Sequence, residues 1–95
     1  MSEDTIRYKL LENLTTQNAL DIVVETLEDK ISSVEKQMSV LEKNESYREY
    51  FKQQALVLEW KTILANVMNR SVEKATEELA LRESLKELLE EQRIH

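Results

Sequence analysis

Apolar residues recur along this chain at alternating intervals of four and three. Leu20, Val24, Leu27, Ile31, Val34, Met38 and Leu41 make three unbroken heptads, with β-branched or Met side chains at a and Leu or Val at d. The spacing predicts a helix over 17–43. Upstream, Ile6, Leu10, Leu11 and Leu14 predict a shorter helix over 4–14. The polar run Thr15-Thr16-Gln17-Asn18 interrupts the stripe, so a break is expected there, with Thr16 as the next N-cap.

A second interruption falls at Lys43-Asn44-Glu45-Ser46. Ser46 with Glu49 three residues on has capping-box spacing, in which the hydroxyl satisfies an early N–H and the carboxylate reaches back to the cap residue. Lys43 suits the negative end of the preceding helix. Asn44 is the residue best able to replace glycine in a left-handed cap. A hairpin turn is expected over 44–46, followed by a helix over 47–92.

That last helix carries more apolar surface than one neighbour can bury. Between Phe51 and Met68 its apolar positions cover well over half the circumference. One stripe is expected to face the helix over 17–43, the other a second subunit or a partner protein. Ala65, Met68, Val72, Ala75 and Leu79 read as a continuing heptad seam, which then shifts to Leu81, Leu85 and Leu88. Candidate interface residues are Tyr47, Tyr50, Phe51, Leu56, Trp60, Ile63, Leu64 and Val67, together with Leu81, Leu85 and Leu88. Tyr47, Tyr50 and Phe51 are placed on one face, with Trp60 as the single anchor. The aromatic cluster admits three readings: hairpin core, interface hot spot, or base-stacking platform beside Arg48 and Lys52.

Composition sharpens the fold class. The 95 residues include no Gly, Pro or Cys, against average usage of about 7% Gly and 5% Pro. Positive-φ turns and helix stops are thereby scarce. One all-α domain over 1–95 is expected: a coiled-coil-like hairpin of long amphipathic helices with a short N-terminal helix and no β structure. Glycine-dependent phosphate cradles and dinucleotide sites are excluded, as are thiolate chemistry and disulfides. His95 stands alone at the end of the sequence and is read as solvated, and adjacent carboxylates such as Glu77 and Glu78 do not face each other on a helix. No catalytic, cofactor-binding or metal-binding residue is assigned, and no enzyme activity, cofactor or small-molecule substrate is expected.

Charge then narrows the partners. A net charge of −6 argues against direct nucleic-acid binding. No apolar run reaches the roughly 18 residues of a spanning helix, so no membrane association is expected. The acidic start Met1-Ser2-Glu3-Asp4 predicts a cytoplasmic protein. Along the heptads from Leu20 to Leu41, Asp21, Glu28, Glu35 and Glu42 all occupy e. An antiparallel pair of such helices would oppose like charges, which favours parallel self-association or a basic partner. The alternative is that these acids only solvate the outer flank of a hairpin.

The layout resembles, in architecture alone, the small helical-hairpin chaperones of bacterial secretion systems and small accessory or structural proteins of phages. The functional expectation is a non-enzymatic interaction module, acting as an oligomeric scaffold, adaptor or assembly chaperone and binding itself, a protein partner or both. An acidic inhibitor masking a basic nucleic-acid-binding surface of a target is the alternative.

Overall fold

The computed structural model describes residues 1–94; His95 lies outside them. The chain is an all-α helical hairpin of α1, Glu3–Lys43, and α2, Tyr47–Ile94. No described residue is in a strand. Ser2 caps α1: its Oγ accepts the Thr5 N–H at 3.3 Å and its carbonyl accepts the Ile6 N–H at 3.1 Å. Glu3 and Asp4 occupy the positive first turn and Lys43 the negative last turn.

The break expected at 15–18, with separate helices over 4–14 and 17–43, does not occur. α1 runs through it, and Thr16 is an interior residue rather than a cap. The hydroxyls of Thr15 and Thr16 donate one turn back to the carbonyls of Leu11 and Glu12, at 2.9 and 3.1 Å, which absorbs them into the helix. Extending the four-three spacing backwards from Leu20 gives Gln17, Asn13, Leu10 and Ile6, and each of these is buried or half-buried. The seam is continuous, but two of its members are polar.

The turn departs from expectation by one residue. Asn44 stays in helical register, its N–H donating to the Val40 carbonyl at 3.0 Å. Glu45, with φ 57°, takes the left-handed position. Its N–H donates to Glu42 O at 3.1 Å, and that of Ser46 to Leu41 O at 2.9 Å. This double bond pattern is a Schellman cap. It consumes the Ser46 N–H that a capping box would offer to Glu49, and the Glu49 carboxylate instead pairs with Lys52 at 3.4 Å. Ser46 still begins α2, its carbonyl accepting the Tyr50 N–H at 3.0 Å.

Contacts gather the chain into two compact units, the first formed by Met1–Asp21 with the stretch from Asn69 onward, the second by Ile22–Met68. In the second unit Ile31, Met38 and Val57 form the core, with Val34, Tyr50, Trp60 and Leu64 packed on it. Lys30 Nζ lies 5.9 Å from the Trp60 ring centroid, within cation–π range. In the first unit Ile6 and Leu81 are buried, and so is one polar residue, Asn13, only 3% exposed.

Candidate interaction surface

α2 carries two heptad stripes. The inner one, facing α1, is Tyr50, Gln53, Val57, Trp60, Leu64 and Val67 in the second unit, then Ser71, Lys74, Glu78, Leu81, Leu85 and Leu88 in the first. All are buried or half-buried. The outer one is Phe51, Gln54, Leu58, Lys61, Ala65, Met68, Val72, Ala75 and Leu79, and every member is exposed.

The two stripes trade character between residues 71 and 79. Here the inner positions are polar, Ser71, Lys74 and Glu78, while the outer ones are apolar, with Val72 65% and Leu79 69% exposed. The inner seam is held by hydrogen bonds instead of apolar packing. Asn13 Nδ2 donates to the Lys74 carbonyl at 3.0 Å. Gln17 Nε2 donates to Asn13 Oδ1 at 2.6 Å and to Glu78 Oε1 at 2.8 Å, and Arg82 Nε donates to Glu78 Oε2. Ser71 Oγ is buried without a partner. The Gln17 amide and then the Arg82 guanidinium hold the Glu78 carboxyl below its ordinary value, and the Lys74 ammonium does the same for Glu77.

Buried polar groups at a and d fix register at a cost in stability, whereas exposed contiguous apolar surface marks a contact site. The segment 71–79 shows both at once. Apolar residues were available to the seam and stand on the solvent face.

The interface residues read from the sequence divide accordingly. Tyr50, Trp60, Leu64, Val67, Leu81, Leu85 and Leu88 lie on the inner seam, where they hold the hairpin together, and Leu56 is half-buried beside it. The aromatic trio does not share a face: Tyr50 packs inward, while Tyr47 and Phe51 are 52% and 60% exposed. Tyr50 and Phe51 meet edge to face across the stripes, with centroids 5.4 Å apart. Ile63 is 44% exposed on the flank. Ala65, Met68, Val72, Ala75 and Leu79, read as a packed seam, belong to the outer stripe, so the inner seam does not shift before Leu81. Leu58, 66% exposed, joins them.

Charge is distributed unequally around the outer stripe. In the first unit it leads into Arg82, Lys86, Leu89 and Arg93 at the same four-three spacing, and a groove is lined by these four with Leu85 and Glu90. In the second unit the neighbouring face of α1 presents exposed Glu25, Glu28, Glu35 and Glu42. Lys61 reaches Glu35 at 3.9 Å, which puts these acids on the same side of the hairpin as the outer stripe of α2.

Among the described residues no group of three His, Asp or Glu gathers as a metal-ligand set, and no helix is long and apolar enough to cross a membrane. No protein-family model matches the chain, and comparison with curated proteins and with solved structures returns no match.

Proposed function

We propose that this chain is a non-enzymatic protein–protein interaction module, a helical scaffold or adaptor that docks another helical surface on the outer stripe of α2. Assembly chaperones and small structural proteins of phages are the kinds of protein in which such a hairpin would serve. The observation that carries the reading is the exchange of polar and apolar stripes between residues 71 and 79. A hairpin selected only to fold would turn Val72 and Leu79 inward and Lys74 and Glu78 outward.

Replacing Val72 and Leu79 together by Glu tests the reading. In dilute solution the variant is expected to keep its helical circular dichroism and melting temperature, because neither side chain packs in the hairpin. Loss of helicity at every protein concentration would show that the outer stripe belongs to the fold and would remove the reading. The acidic-inhibitor alternative draws on the exposed row Glu28, Glu35 and Glu42. It requires partner binding that weakens steeply with salt, where docking dominated by apolar contact changes little.

A further inference from the structure

Resting on that reading, we propose that the occupant of the outer stripe is a second copy of this chain. The cation-flanked leucines of the first unit lie on the acid-flanked face of the second unit in the other copy. The argument is charge complementarity around two apolar surfaces. In the first unit Leu79 and Leu89 alternate with Arg82, Lys86 and Arg93 at heptad spacing, so apolar contact and positive charge share one stripe. In the second unit Phe51 and Leu58 are exposed on the outer stripe, and the exposed carboxylates Glu28, Glu35 and Glu42 form a row on α1 that Lys61 of the same stripe reaches at Glu35.

Placing like units together would set cation on cation and acid on acid, which costs affinity and disfavours that pairing. Placing unlike units together gives each apolar patch an apolar partner and each charged flank its opposite. Every copy carries both surfaces, and in the proposed dimer the two unlike contacts close reciprocally about a two-fold axis, the commonest symmetry of soluble oligomers. The α1 heptad seam is already occupied by α2, which removes pairing through α1 seams as a competitor. The acidic e row, which predicts a basic partner, finds one in the row Arg82, Lys86 and Arg93 of this chain's own α2.

The experiment is a charge exchange read by sedimentation velocity on the full chain. One variant carries Lys86→Glu and Arg93→Glu, the other Glu35→Lys and Glu42→Lys; all four positions are exposed, so both are expected to retain wild-type helicity. The wild type is expected to sediment at twice the chain mass, and each variant alone to associate at least about tenfold more weakly, since like charges now meet at both contacts. An equimolar mixture of the variants restores the dimer, because every repulsive contact becomes attractive again.

A wild type that sediments as one chain from micromolar to near-millimolar concentration would overturn the proposal while leaving the module reading intact, with a heterologous partner as the occupant. Dimerisation indifferent to the exchange, or a mixture that fails to recover, would overturn the unlike pairing. Failure of the module reading registers differently, as unfolding of the Val72→Glu, Leu79→Glu chain in circular dichroism rather than as a change in mass.

Discussion

Glu45 holds the one left-handed backbone position of the turn, with φ 57° and a β-carbon that this conformation disfavours. For an L-residue the conformation costs about 1–2 kcal/mol, and glycine removes that cost while giving back about 0.5–1 kcal/mol through its freer unfolded chain. Glu45→Gly should therefore stabilise the hairpin by about 0.5–1 kcal/mol, which for a chain of this size raises the melting temperature by about 2–8 °C. The neighbouring substitution reverses the sign. Asn44 remains in helical register through its bond to Val40, so Asn44→Gly adds backbone entropy with no strain to relieve and should lose about 0.5 kcal/mol. Glu45→Gln separates the charge from the backbone term, since it keeps the β-carbon and removes the carboxylate. Thermal melts by circular dichroism at two protein concentrations would read all three, the second guarding against a shift from association. A stabilised Asn44→Gly beside a neutral or destabilised Glu45→Gly would place the left-handed residue one position earlier and refute the Schellman assignment.

Ser71→Ala removes a buried hydroxyl that has no partner, and chemical denaturation should show a gain of about 1 kcal/mol. Trp60→Ala empties a site packed on Ile31, Met38 and Val57 and should cost about 3 kcal/mol or more of fold stability; loss of association with unchanged melting would return Trp60 to the outer surface. The carboxyls of Glu77 and Glu78 are held below their ordinary value of 4.5 in the folded chain. Their contribution is present above that value and is lost as pH falls through the lower folded one. Stability should thus decline below about pH 4, and Glu78→Gln should flatten part of that decline in melts taken across the acid range.

The hairpin, its turn at 44–46 and the α1 seam from Leu20 to Leu41 were legible because each depends on local rules: heptad spacing, cap residues and the absence of glycine and proline. The remainder turned on hydrogen bonds between residues about sixty positions apart. Gln17 looks like part of a helix break until Glu78 is placed opposite it, and nothing local marks Asn13 as a seam residue until Lys74 is placed opposite it. Ser71, Lys74 and Glu78 look like a solvated face for the same reason, so hydrophobicity selected Ala65, Met68, Val72, Ala75 and Leu79 as the seam. The spacing held the correct register throughout. Counting fours and threes back from Leu81 reaches Glu78, Lys74 and Ser71, and back from Leu20 reaches Gln17 and Asn13.

The polar inner seam and the apolar outer stripe have one explanation between them. If Val72, Ala75 and Leu79 faced α1, the first unit would gain apolar burial and lose its register constraint, since leucine and valine seams tolerate slippage that an amide paired to a specific carbonyl does not. Ser71, Lys74 and Glu78 would then leave the seam, and Arg82, in the same row as Leu79, would turn toward it. Turning the helix the other way fixes Asn13 opposite Lys74 and Gln17 opposite Glu78. It also leaves the apolar row exposed, and it anchors Arg82 through Glu78 at the edge of that row. The inner seam thereby trades apolar burial for a fixed register, and under the proposed self-association that register would carry over to the contact between copies.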